Sequence, residues 1–307
     1  MRIHFLGTGG SWPSRTRNST SIGVTMGRTT VLLDCGEGTQ RQIIPTAISP
    51  MKIKAILITH LHGDHFLGVP GLVQTMSLND RNDDLLLIGP RGISESWEKA
   101  RMICPFTPRF EVIVRTMVPG DSLNLEEMLI EAGPADHSIP SISFRISGPD
   151  KPGRFNRDKA LELGIPEGRM WGILQKGDSV AVLVDGEERI VKSEDVLGPP
   201  RKGLSLVYSG DTAPCEGIRD ISKGADVLIH EATFSEEFRE LADEYKHSTA
   251  QGAAGIARDA GVRKLFLVHI SPRYSDEDSL EILLKEASAV FPDVLIPDDL
   301  ETFEITR

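Results

Sequence analysis

Cysteine is scarce. Only Cys35, Cys104 and Cys215 occur in 307 residues, and none forms a CxxC pair. So few and such widely spaced thiols argue against a disulfide framework and a thiolate zinc site, and they suit a reducing, cytoplasmic setting. Long apolar runs are missing too, since none approaches the ~18–20 residues that span a bilayer, so no membrane partner is expected. The opening MRIHFLGTGGSW lacks the apolar segment and small-residue cleavage site of a signal peptide and reads as strand, then loop. The GTGG at Gly7 to Gly10 falls short of GxGxxG, so it is read as a turn and implies no nucleotide cofactor.

A positive balance is also absent. Lys and Arg number 34 against 45 Asp and Glu, a net charge of −11. On its face that disfavours a nucleic-acid partner, because phosphate binding draws on clustered cations. The distribution qualifies the sum. Residues 1–33 hold Arg2, Arg15, Arg17 and Arg28 and no acid, while Lys151 to Lys176 carries six basic side chains against three acidic ones. Two basic surfaces on an acidic body remain compatible with the totals.

What is present is one repeated phrase. A β-rich apolar run ends in a residue able to bind metal: TTVLLD at Asp34, AILITHLHGDH at His60 to His65, LSLVYSGD at Asp211, DVLIHEAT at His230 and Glu231, LFLVH at His269. Near-continuous apolar runs suit strands covered on both faces. Helical patterns lie between them (FLGVPGLVQTMSL, GISESWEKARMIC, SEEFRELADEYK, TAQGAAGIARDAG, SDEDSLEILLKEASAVF), which predicts an α/β layered fold with ligands at the carboxyl ends of strands. From 148 to 203 the composition turns to Gly, Pro and charge, with a short helix at ALELGIP and a hairpin VAVLVDGEERIV turning at Asp185-Gly186. This segment is expected to be an arm projecting from a single domain spanning 1–307.

The densest signal is His60-Leu61-His62-Gly63-Asp64-His65. In an extended segment His60 and His62 project to one side, and a turn at Gly63 brings Asp64 and His65 towards a neighbouring point. The cluster thus offers two ligand pairs for two adjacent cations, with His137, His269 and Asp211 as candidates to complete them. Two metals ~3.5–4 Å apart, bridged by an aspartate, suit displacement at phosphorus. A single structural zinc, or histidines satisfied within the core, is the alternative, but structural zinc usually favours cysteine and none is near.

Those six residues resemble the signature of the metallo-β-lactamase superfamily. Together with DCGEGTQ at 34–40, SGDT at 209–212, HEAT at 230–233, HST at 247–249 and HISPRY at 269–274, they resemble the ribonuclease Z family of transfer RNA 3′-processing endonucleases. The resemblance covers essentially the whole chain. It implies a four-layer αβ/βα sandwich, usually a homodimer. It also implies two zinc ions per subunit, Mn²⁺ or another divalent ion being an alternative. His60, His62 and His137 would hold the first and Asp64, His65 and His269 the second, with Asp211 bridging. It further implies cleavage of precursor transfer RNA 3′ of the discriminator base, leaving a 3′-hydroxyl on the tRNA and a 5′-phosphate on the trailer. Asp64 would orient the attacking water, His247 would protonate the leaving 3′-oxygen, and Glu231 would hold the His247 tautomer.

Plainer roles stay open at this point. His247 could flank a helix capped by Ser248 or Thr249, Asp34 could be a turn residue or could bond a ligand histidine, and Arg273 could form a surface ion pair or meet phosphate. RNA contacts are expected from Arg154, Arg157, Lys159 and Arg169 on the arm, whose Gly164-Ile165-Pro166 resembles the family's exosite, and from Arg273, Arg15 and Arg17. A small-molecule phosphodiesterase of the same superfamily is the competing function.

Overall fold

The computed structural model describes residues 1–103, 105–184 and 186–306; Cys104 and Asp185, the latter read as opening the hairpin turn, lie outside them. The chain divides into two compact units, Met1–Gly148 with Leu204–Arg307, and Pro149–Gly203.

The larger unit is built on two seven-stranded sheets. The first runs, in spatial order, Thr302–Glu304, Arg2–Gly7, Ser21–Met26, Thr29–Leu33, Ile53–Leu57, Leu85–Gly89 and Val112–Thr116. The second runs Val294–Leu295, Lys264–Val268, Val227–Glu231, Ser205–Tyr208, Ile142–Ser147, Met128–Pro134 and Ser122–Leu125. Each is mixed: Thr29–Leu33 through Val112–Thr116 are parallel in the first, Ser205–Tyr208 through Val294–Leu295 in the second. Side chains from both sheets, among them Phe5, Val24, Leu57, Phe144, Tyr208 and Phe266, form one core. Helices Gly68–Leu78 and Ile93–Ile103 pack Val69, Leu72, Met76 and Trp97 on the outer face of the first sheet. Helices Ala250–Ala260 and Glu277–Ser288 cover the second with Ala253, Ala257, Leu283 and Ala287. This is the layered α/β fold the sequence pattern predicted, in the four-layer form the resemblance implied. Strands read as continuous apolar runs, such as Thr29–Leu33 and Val227–Glu231, are buried along their whole length because both faces are covered. Among the described residues no helix is long and apolar enough to cross a membrane.

The smaller unit has its own core of Ala160, Ile165, Trp171, Leu174, Val182 and Val191. A hairpin of Val180–Val184 and Glu187–Val191 and a helix Arg157–Glu162 frame it. The helix is capped by Asn156, whose side chain accepts from the Lys159 N–H at 3.0 Å. Ile165, in the Gly164-Ile165-Pro166 piece, is fully buried there, and its carbonyl accepts the Trp171 indole N–H at 3.0 Å.

Candidate metal centre

The polar residues that end the strands meet at one edge of the larger unit. Asp34 follows Leu33, Asp211 lies just beyond Tyr208, Glu231 is the last residue of its strand, and His269 follows Val268. Asp34 and His269 both adopt left-handed backbone at φ 57. Asp and His tolerate that region better than most residues, and it turns each side chain off its strand. Gly210 does the same service for Asp211: its φ is 61, and an added Cβ would lie 2.6 Å from that of Thr59. Gly10 allows a different approach, since a Cβ there would sit 2.5 Å from His269 Nδ1. The GTGG read as a turn is thus a wall laid against a candidate ligand.

Two donor sets result. His60 Nε2 lies 3.1 Å and His137 Nε2 3.3 Å from His62 Nδ1. Asp64 Oδ2 lies 3.6 Å from His65 Nε2 and 3.3 Å from His269 Nε2. Within each set the ligand atoms lie within 4.8 Å of one another. Asp211 stands between the sets, with Oδ2 at 3.7 Å from His60 Nε2 and 3.2 Å from His269 Nε2, and Oδ1 at 3.4 Å from His65 Nε2. The structure brings together all seven residues singled out in the sequence. His65 Nε2 and Asp211 Oδ1 are buried without a hydrogen-bond partner. Orphaned atoms of that kind in a converging set of imidazoles and carboxylates fit cations, because a bare site would leave their desolvation uncompensated.

Three ligand histidines agree with that fit, whereas, against its burial, Asp211 and Asp34 lift His65 above the ordinary histidine range. Burial holds His60, His62 and His137 below the ordinary histidine range, so they are the neutral form that carries a ligand lone pair. Burial alone would raise Asp211, but His269, His65 and His60 keep it ionised, well below the carboxylate range. Outer partners fix the rings. His60 Nδ1 meets Thr59 Oγ1 at 3.0 Å, His137 Nδ1 meets the Lys246 carbonyl at 3.1 Å and His269 Nδ1 meets Thr233 Oγ1 at 2.8 Å. Asp34 Oδ2 accepts from His65 Nδ1 at 2.7 Å. Each of these bonds leaves Nε2 facing the cluster.

A second arrangement adjoins the first. Thr249 caps the helix Ala250–Ala260 by accepting from the Gly252 N–H at 3.0 Å, so His247 sits two residues ahead of the cap, against the cluster. Its Nδ1 lies 2.7 Å from Glu231 Oε1. Burial disfavours its cation, yet the buried Glu231 carboxylate outweighs burial and lifts the His247 pKa to about 9. The backbone N–H of Thr212 and the Thr233 hydroxyl hold Glu231 at 2.9 Å and 2.7 Å. His230, its neighbour, points to the other face of the strand and is buried away from the cluster. A cavity of about 480 Å³ opens over the site, lined by Trp12, Pro13, Leu67, His62, Asp64, Asp211, His247 and His269 among others.

Similarity to known proteins agrees with this geometry. Residues 1–101 match the model described as anti-Pycsar protein Apyc1, and residues 196–270 match the beta-lactamase superfamily domain. The ribonuclease Z of Methanosarcina acetivorans is 43% identical over 305 residues, covering 99% of this chain and 98% of that protein. The chain belongs to the ribonuclease Z family. A Bacillus licheniformis ribonuclease Z is 41% identical, with both chains covered in full. The crystal structure of human tRNase Z, short form, superposes with a TM-score of 0.70 at 25% identity, covering 100% of both chains.

Of the residues expected to meet RNA, Arg15, Arg154, Arg157, Lys159, Arg169 and Arg273 are exposed. Arg17 corrects the expectation. Its guanidinium is buried, bonding Thr8 Oγ1 at 2.5 Å, the Pro297 carbonyl at 2.6 Å and Asp298 at 2.9 Å. It ties the first loop to the C-terminal segment and is spent within the fold. Sequence reasoning also passed over Tyr208, whose hydroxyl donates to Asp34 Oδ2 at 2.7 Å, and the supporting roles of Thr59, Thr212 and Thr233. Thr212 and Thr233 stand inside SGDT and HEAT, so the signal was on the page without a geometry to read it by.

Proposed function

We propose that this ribonuclease Z family member is a metal-dependent hydrolase that cleaves precursor transfer RNA 3′ of the discriminator base, leaving a 3′-hydroxyl and a 5′-phosphorylated trailer. The observation that carries it is the pairing of two donor sets sharing Asp211 with an adjacent His247–Glu231 dyad. His60, His62 and His137 would hold one zinc, Asp64, His65 and His269 the other, and Asp211 would touch both. Bound there, two such cations supply an acidified water and charge stabilisation for phosphoryl oxygens.

The chain's own groups do the rest. Asp64 is held ionised by His269 and His65 against its burial, and the Ser11 N–H donates to its Oδ2 at 2.8 Å. A carboxylate fixed in this way orients the attacking water. In-line displacement expels the 3′-oxygen of the discriminator nucleotide, an alkoxide that needs a proton. His247 Nε2 delivers it, because Nδ1 is committed to Glu231 and the raised pKa keeps the ring protonated at neutral pH. A structural metal site has no use for such a dyad.

The unit 149–203 serves as an exosite that grips the RNA, through Arg154, Arg157, Lys159 and Arg169. The family resemblance supports a homodimer, and the sparse cysteines support a cytoplasmic setting.

The test is cleavage of an end-labelled precursor transfer RNA by metal-loaded protein beside its Asp64→Ala variant. A single cut after the discriminator base, lost in the variant, is the expected result. No cut, with two metals bound and a small phosphodiester hydrolysed, would instead make it a small-molecule phosphodiesterase.

A further inference from the structure

Tryptophan is used sparingly in this chain, and its three copies are placed very differently. Trp97 and Trp171 are 2% and 7% exposed, each inside a core, whereas Trp12 is 62% exposed. Trp12 also lines the cavity over the donor cluster, beside Pro13 and Leu67, the latter likewise 62% exposed. Isolated surface hydrophobics need no explanation, but an indole and two apolar side chains at the mouth of one cavity over a cluster of histidines and carboxylates do. The backbone that carries the indole is held by short local geometry. Ser11 has φ 65, the Trp12 N–H donates to the Gly10 carbonyl at 2.8 Å, and the Ser11 N–H reaches Asp64 Oδ2 at 2.8 Å. Its neighbour Ser11 thus ties the loop that carries Trp12 to Asp64.

Resting on the endonuclease reading, we propose that Trp12, with Pro13 and Leu67, forms a nucleobase subsite that stacks the first nucleotide of the trailer. The chemistry selects a base because a flat, exposed π-face in a cavity with an otherwise polar floor offers stacking and few donors for base-edge readout. The side follows from the reaction. The P–O3′ bond breaks, the discriminator nucleotide leaves with its 3′-oxygen towards the proton on His247, and the phosphoryl group stays joined to the trailer. The trailer, joined to that phosphoryl group, therefore stays at the donor cluster, to which the Trp12 loop is tied through Ser11 and Asp64. Stacking tolerates any base, so this subsite would favour the presence of a base over its identity.

The experiment measures kcat/KM on precursor transfer RNA with an intact or an abasic first trailer nucleotide, for wild type, Trp12→Ala and Trp12→Phe at equal metal content. Losing one stacked base costs roughly ten- to a hundredfold. Wild type is expected to lose that factor on the abasic substrate. Trp12→Ala is expected to lose it on the intact substrate and little more on the abasic one, and Trp12→Phe to recover most of it. Losses that multiply, a Trp12→Ala variant as fast as wild type, or blindness to the discriminator base in place of the trailer base would overturn the subsite. So would dissociation of a wild-type dimer on Trp12→Ala substitution in sedimentation, which would assign the indole to an interface between copies. A binding readout stands apart from cleavage. A 5′-phosphorylated trinucleotide should quench the exposed indole saturably and its first-position abasic analogue should not; equal quenching by both overturns the proposal. A wild type that hydrolyses bis(p-nitrophenyl) phosphate but cuts neither precursor would overturn the endonuclease reading itself, and the trailer subsite with it.

Discussion

Nδ1 of His247 lies 2.7 Å from Oε1 of Glu231, and both are drawn into one buried patch with Asp211 3.9 Å from the same ring nitrogen. This contact makes a histidine that burial would discharge into one whose pKa is about 9. It is also the feature that separates this site from a plain pair of metal ligand sets.

His247→Ala is expected to lower turnover on precursor transfer RNA by roughly two to four orders of magnitude, the usual cost of losing a general acid. Metal content, read by elemental analysis, should stay that of wild type. Near-normal turnover with full metal would remove His247 from the reaction.

Glu231→Gln is expected to move the pH profile. The donor is the protonated ring, so the rate falls as pH rises through the His247 pKa. Removing the Glu231 charge lowers that pKa, and the descending limb of kcat should shift to lower pH than in wild type at equal metal loading. An unshifted limb would show that another group sets it.

Asp34→Asn keeps the shape of a buried carboxylate that receives His65 Nδ1, the Tyr208 hydroxyl and the Thr59 N–H. The amide can no longer accept as strongly, and metal affinity should fall about ten- to a hundredfold, the common cost of losing an outer partner of a ligand. Titration against a zinc buffer would show it; unchanged affinity would make Asp34 a turn residue only.

Chelation should abolish cleavage and also lower the unfolding temperature. Binding to the folded state alone stabilises it, by about 4 kcal/mol when free metal exceeds Kd a thousandfold. Calorimetry with and without chelator measures it, and equal temperatures would mean the clustered donors hold no cation in solution.

Deleting 149–203 tests the exosite. The Gly148 N–H donates to the Leu204 carbonyl at 2.8 Å, so a short turn can rejoin the chain. KM for precursor transfer RNA should rise while hydrolysis of bis(p-nitrophenyl) phosphate stays close to the parent's. Equal loss on both would make the unit part of the catalytic fold.

How much of this was legible beforehand depends on the range of the interaction. The strands and helices were readable because burial on both faces leaves a continuous apolar run, and burial on one face leaves a helical period. His60 to His65 were readable because their donors lie within six residues. His137, Asp211 and His269 stood as candidates, and the resemblance then assigned each to its place. Spacing alone could not choose between those and other polar residues, since sequence separation carries no distance.

Tertiary structure decided the rest. Arg15 and Arg17 stand two apart in one basic loop and look alike in sequence; only packing against Thr8, Pro297 and Asp298 makes one of them structural. Tyr208 and Asp34 are 174 residues apart and meet through a single hydroxyl, and Thr233 finds both Glu231 and His269 only because their parallel strands end in register. The sequence by itself determined the layers, the strand ends and the kinds of ligand. The fold alone determined which side chains lose water together. Shared burial keeps His60, His62 and His137 neutral, while the charges buried beside them hold Asp211 ionised and His247 protonated.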